Sequence, residues 1–196
     1  MHKFTFPLIM SSLLLSACAT YAPVEQRVIG EPSPDAFTLC YGDECEVSAD
    51  TGLSGEEWKE IVLLFKSVNS AETERDTLAR AIRMFEQYTN GRIRNVSREG
   101  SGFDSKRGAQ PVDRYDVAVN TSTYLHILRN YGLLKYHKPR YIIRKTGFHL
   151  TEVDQTATIV DITTGLYYAV DAWPVKQSVP VQVVPQELWI RGWLGL

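Results

Sequence analysis

Apolar positions in the first half of the chain recur at helical spacing. Ser54-Gly-Glu-Glu57 is a capping box, and behind it Trp58, Ile61, Val62 and Phe65 fall on one face of a helix. Ser70 is placed to cap a second helix, with Glu72 and Glu74 in the first turn, where the helix dipole favours carboxylates. Leu78, Ala81, Ile82, Phe85 and Tyr88 form its buried stripe, and Gly91 fits its end. A third helix is expected from near Asp113 to Leu134, with Val117, Thr121, Tyr124, Leu125, Ile127 and Leu128 on its apolar face and Gly132 near its close. Residues 92–112 break the pattern: they are polar, carry Gly100, Gly102 and Gly108, and include Arg92, Arg94, Arg98, Lys106 and Arg107. This reads as a long loop, either a solvated surface segment or a basic loop able to take an anionic partner.

From Tyr141 the period shortens to that of strands. Residues 141–143 begin one strand, and 155–161 and 166–173 are two β-rich runs joined by Ile162-Thr-Thr-Gly165, with a glycine available for positive φ. A short strand over 181–184 follows, and Pro185-Gln-Glu-Leu starts a helical turn bearing Leu188, Trp189 and Trp193. Helices first and antiparallel strands afterwards predict an α+β domain, helices packed on a small sheet, over 37–196. There are no internal repeats.

Composition narrows the function classes. The chain has 196 residues, 44% hydrophobic and 22% charged, which suits one folded domain with a sizeable core. A net charge of −2 provides no broad basic field, so no nucleic-acid partner is expected. Four histidines and three cysteines, in no C-x-x-C or H-x-x-x-H array, argue against a metal. No P-loop, G-x-G-x-x-G or EF-hand loop points to a cofactor, and none is expected.

The N-terminus is an address. His2 and Lys3 precede a mostly apolar run from Phe4 to Leu15, too short to span a bilayer. Leu15-Ser-Ala-Cys18 then resembles the lipobox of bacterial lipoproteins. The resemblance implies a signal peptide over 1–17 and acylation of Cys18, with two or more acyl chains giving firm membrane attachment. Ala19, where Asp marks inner-membrane retention, implies the periplasmic face of the outer membrane. Residues 18–36, with Pro23, Gly30, Pro32, Ser33 and Pro34, read as lipidated N-terminus and flexible tether. In an oxidising compartment Cys40 and Cys45, bracketing a Gly42-Asp43 turn, are expected to form a disulfide, leaving no free thiol in the mature chain.

Two further segments carry a second likeness. V-D-R-Y-D-V-A-V-N-T-S-T-Y-L (112–125) and Q-T-A-T-I-V-D-I-T-T-G-L-Y-Y-A-V-D-A-W (155–173) resemble an uncharacterised proteobacterial family with a papain/transglutaminase-like arrangement. Its segments read D-C-x-D-E-A-x-N-T-T-T-Y-L and H-x-A-V … T-G-x-x-Y-A-V-D-S-W, and the likeness spans about 110–193. In such a site a thiol at a helix N-terminus is acidified by the dipole, a strand histidine takes its proton, and a neighbouring Asp fixes the imidazole. The family's cysteine falls on Arg114, its histidine on Gln155 and its third member on Asp171. Arg114 stays protonated and is no nucleophile, and Gln155 cannot exchange a proton near neutrality.

The resemblance therefore implies a degenerate domain, leaning away from catalysis, whose old cleft binds a peptide, an envelope protein or a peptidoglycan stem. An Arg114–Asp171 ion pair in that cleft is one expectation, and capture of a carboxylate by Arg114 another. The competing readings are a hydrolase using a shifted or different nucleophile and a structural envelope protein docking through exposed Trp189 or Trp193. His126 lies mid-helix, His137 reads as surface, and His149 sits near Glu152 and Asp154. A Ser122–His149–Asp171 triad can be drawn, but Ser122 has no G-x-S-x-G context.

Overall fold

Strands and helices interleave more than the sequence pattern suggests. The computed structural model describes residues 29–89, 92, 96–97, 110–146, 153–173 and 180–192. The expected signal peptide, Cys18, most of the tether, most of the basic loop, Gly91, His149 and Trp193 lie outside them. The elements are β1 (Phe37–Tyr41), β2 (Val47–Thr51), α1 (Gly55–Leu64), α2 (Ala71–Thr89), β3 (Val96–Ser97), β4 (Gln110–Pro111) and α3 (Arg114–Asn130). They continue as β5 (His137–Pro139), β6 (Ile143–Thr146), β7 (Val153–Asp161), β8 (Tyr167–Asp171), β9 (Gln182–Pro185) and α4 (Gln186–Ile190). The class is α+β. β7 is the hub: β8 pairs along one edge, β5 and β6 pair in succession along the other, and β9 closes the far side of β8, all antiparallel.

The cap read at Ser54 forms, and the structure adds one the sequence reading did not name. Ser54 and Glu57 make a reciprocal capping box on α1, and Asp113 and Asp116 make one on α3. α3 ends at Asn130, four residues short of Leu134, because Gly132 takes a φ of 72° and closes a Schellman-type turn through Leu133 N–H to the Leu128 carbonyl at 2.9 Å. The β7–β8 turn is fixed by Asp161, whose carboxylate accepts from the Thr163 and Thr164 N–H groups at 2.8 and 3.0 Å, with Gly165 at a φ of 72°. Burial pushes the Asp161 carboxyl up, but those backbone donors outweigh it and hold it below the usual range.

α3 is buried on two sides. Val117, Tyr124, Leu125, Ile127 and Leu128 join the main core with Phe85, Ala157, Ile159 and Val170, while Ala118 and Val119 pack with Cys40 and Ile142 in a second cluster. The aromatic centre is Phe85 stacked on Tyr124 at 4.6 Å, with Phe37 edge-on to both at 6.2 and 6.0 Å. The end of the expected tether also lies against this body: Pro32 and Pro34 are buried, and the Pro34 carbonyl accepts from Leu53 N–H at 2.7 Å.

Glu74 and His137 hold the start of β5, and His137 is not a surface residue: both side chains are fully buried. The Glu74 carboxylate accepts from the backbone N–H groups of Lys135, Tyr136 and His137 at 2.6 to 3.1 Å, and from His137 Nδ1 at 2.9 Å. A carboxylate only accepts and a guanidinium only donates, so Arg75, 3.4 Å from Nε2, fixes the Nδ1–H tautomer. Tyr136, His137 and Pro139 look polar or irregular in sequence, so nothing in their pattern announces a strand. The strand forms because a buried acid on α2 gathers its first N–H groups. Glu74→Ala leaves those donors without an acceptor and is expected to cost about 3 kcal/mol or more. Urea unfolding measures it; an unchanged midpoint would show that water satisfies them instead.

Candidate functional site

The N-terminus of α3 is built by two carboxylates and an amide that read backbone. Asp113 accepts from Asp116 N–H at 2.8 Å and from Glu44 N–H at 2.9 Å. Asp116, fully buried, accepts from Asp113 N–H at 3.0 Å and from Cys45 N–H at 2.8 Å. One helical turn on, Asn120 accepts from Cys40 N–H at 2.7 Å and donates to the Cys40 carbonyl at 2.9 Å. Positions 113, 116 and 120 lie on one helical face, and that face grips the Cys40–Cys45 loop. Cys40 and Cys45 are disulfide-bonded, as expected. Their sulfurs and an Asp116 oxygen lie within 4.8 Å of one another, yet sulfurs bonded to each other present no thiolate to a metal. Glu44 and Cys45 take φ of 51° and 63°, left-handed backbone held by those same carboxylates.

Arg114 is the first residue of α3, and it does not pair with Asp171. Its guanidinium forms an ion pair with Asp154 on β7 and lies over the Trp173 ring, 5.0 Å from the centroid. Lys145 on β6 stands in register with Asp154, its Nζ 3.8 Å from the carboxylate. The same ammonium donates to the Trp189 carbonyl at 2.7 Å and sits 4.1 Å above the Trp189 ring. Trp189 Nε1 donates to Asp171 at 2.8 Å, and the other Asp171 oxygen accepts from Trp173 N–H at 2.9 Å. The contacts thus close a circuit: Trp173, Arg114, Asp154, Lys145, Trp189, Asp171 and back to Trp173.

The antiparallel register explains the choice of partners. β7 side chains alternate, so Asp154 and Thr156 share a face and Gln155 points to the other. Gln155 stands opposite Arg144. Continuing the Ala157–Val170 register by one residue sets Thr156, not Gln155, against Asp171. The structure therefore brings Arg114 near Asp171 through Asp154, Lys145 and the two tryptophans, and leaves Gln155 on the opposite face. Asp171 holds an indole where the resemblance calls for an imidazole. Sequence reading missed Lys145 and the partnering role of Asp154; both follow from the β6–β7 register, which pairs residues too far apart in sequence for local pattern to fix.

Other candidates are displaced. Trp189 is only 1% exposed, so it is no docking aromatic, and of the two named in that reading Trp193 lies outside the described residues. Ser122 is buried on α3. His126 is half-buried on α3, and burial holds its imidazole below the usual histidine range. The drawn triad cannot be assembled among the described residues, since His149 is not one of them. No helix is long and apolar enough to cross a membrane, among the described residues.

Burial pushes the Asp171 carboxyl above the usual aspartate range, against the two N–H donors, and Asp154 adds to the rise. A carboxyl raised in the fold is stabilising below its unfolded value, and that contribution is lost as pH rises through the folded value. Asp171→Asn keeps an acceptor for Trp189 and does not ionise. The stability of wild type relative to this variant is expected to fall as pH climbs from the ordinary aspartate range towards neutrality. Chemical unfolding at a series of pH values measures it, and a pH-independent difference contradicts the burial argument.

No protein-family model, curated protein or solved structure matches this chain.

Proposed function

We propose that this chain is a lipoprotein anchored through Cys18 at the periplasmic face of the outer membrane, carrying a degenerate, non-catalytic papain/transglutaminase-like domain that binds peptide. The bound partner is a peptide carboxylate on an envelope protein or a peptidoglycan stem. The observation that carries this reading is the state of Arg114. It stands at a helix N-terminus, paired with Asp154 and stacked on Trp173, with 36% of its side chain exposed. An Arg fork on an aromatic face, open on one side, suits capture of a planar carboxylate, which then competes with Asp154 for the guanidinium.

Support against thiol chemistry comes from the same residues. Cys40 and Cys45 are bonded to each other, and the position of the family nucleophile is a permanent cation. The α+β class and the helix-to-strand placement of Arg114 and Asp171 suit the finer fold assignment.

The test titrates the full chain with short peptides ending in a free carboxylate and with their amidated forms. Saturable binding of the free acids is expected, weakened at least about tenfold in Arg114→Ala, since charged hydrogen bonds contribute about 1.5–3 kcal/mol. Equal binding of acid and amide, or an unaffected Arg114→Ala, overturns the carboxylate reading. Metabolic labelling with palmitate tests the anchor: label is expected on wild type and absent from Cys18→Ser.

A further inference from the structure

One stretch of surface has a charge opposite to that of the whole molecule. Residues 131–146 hold five Lys and Arg and no Asp or Glu, in a chain whose net charge is −2. Lys135, Lys138 and Arg140 are exposed, and none of their side chains enters an ion pair among the described residues. β5 places Lys138 opposite Val160, and Val160 stands opposite Tyr167, so the lysine and the tyrosine occupy one row across β5, β7 and β8.

Apolar groups surround that row. Tyr141 is 51% exposed and its ring lies 6.3 Å from that of Tyr167. At the adjoining β7–β8 turn Leu166 is 58% exposed and Ile162 48%. Ile162 N–H donates to the Tyr136 carbonyl at 2.9 Å, so the turn is fastened directly to the segment that carries the cations. A solvated charged face has no need of bulky apolar side chains at its tip, and a protein-binding patch is depleted in lysine.

We propose that this end of the sheet is a peripheral membrane-binding surface for an anionic bilayer. Lys135, Lys138 and Arg140 contact lipid phosphates, while Tyr141, Ile162 and Leu166 settle at the boundary of headgroup and acyl chain. Long basic side chains snorkel to phosphate over inserted apolar groups, and tyrosine favours that boundary. This contact belongs to the folded domain and is separate from acylation at Cys18.

The test measures partitioning of the full chain onto vesicles of phosphatidylcholine alone and of phosphatidylcholine mixed with phosphatidylglycerol. Any contribution of the N-terminus to neutral lipid is common to both, so their ratio reports the patch. Wild type is expected to prefer the anionic vesicles, less so as salt rises. Each neutralised cation lowers that preference about fivefold, so Lys138→Gln with Arg140→Gln lowers it about 25-fold. Tyr141→Ser with Leu166→Ser weakens partitioning to both compositions. A preference that survives the double Gln variant overturns the proposal. So does a Tyr141→Ser/Leu166→Ser chain that partitions as wild type does. Binding of soluble polyphosphate without any vesicle preference overturns it in favour of a soluble polyanion.

Discussion

The hydrogen bonds that Asp113, Asp116 and Asn120 accept from N–H groups of the Cys40–Cys45 loop are the contact on which the arrangement of the domain depends. They join the first hairpin to a helix 69 to 80 residues away in sequence. The contact serves three needs together. It supplies acceptors to backbone N–H groups in left-handed or tight conformation, it complements the positive end of α3, and it closes the second small apolar cluster around Cys40, Ala118, Val119 and Ile142. The disulfide keeps the six-residue loop in the shape those acceptors require. For so short a ring the chain-entropy gain is about 2 kcal/mol, so most of the loop's hold on the helix comes from the hydrogen bonds and the buried Cys40 side chain.

That anchoring fixes α3, and α3 fixes where β7 runs. A helix buried on two sides shows little amphipathic pattern, so the single apolar face read from the sequence covers only part of what the fold buries. Thr121, Ser122 and Thr123 are all buried, with Thr123 returning its hydroxyl to the Val119 carbonyl at 3.1 Å. Caps, the Gly165 turn, the disulfide and the core stripe of α2 were legible because each depends on residues close in sequence. Glu74, favourable to its helix dipole on local grounds, turned out to organise residues 135–137 from across the core. His137 and Trp189 were misplaced for the same reason: each is a polar-edged ring whose burial depends on an acid elsewhere, Glu74 for one and Asp171 for the other. Local pattern cannot say which acid, since that requires the strand register.

Register also decides what the circuit around Asp171 is able to do. An antiparallel pair places neighbours of one strand on opposite faces, so a one-residue difference separates Gln155 from the Asp154–Lys145 pair. The cations in the circuit are each engaged by a carboxylate and by an indole face, Lys145 by the Trp189 carbonyl as well, and the two carboxylates each find a donor or a cation. Cation–π contacts of this kind contribute about 0.5–1 kcal/mol when exposed and about 2 when desolvated. Their larger effect is orientation, because each ring is also held by a hydrogen bond or by core packing.

Proton transfer needs a group that both accepts and releases a proton near its working pH. Arg114 releases none, the Trp189 indole donates one hydrogen bond and accepts none, and Asp171 is ringed by donors that do not take a proton back. Asp171 with its raised pKa has a proton-holding character that, beside an imidazole, would serve an acid–base step. Beside an indole it serves only to hold Trp189, and through Trp189 it holds α4 against β8. The geometry of the circuit is therefore that of a rigid frame around one partly open guanidinium. Such a frame presents Arg114 in a set direction, and on the proposed function an incoming carboxylate has to displace Asp154 from the guanidinium while the Trp173 face stays in place.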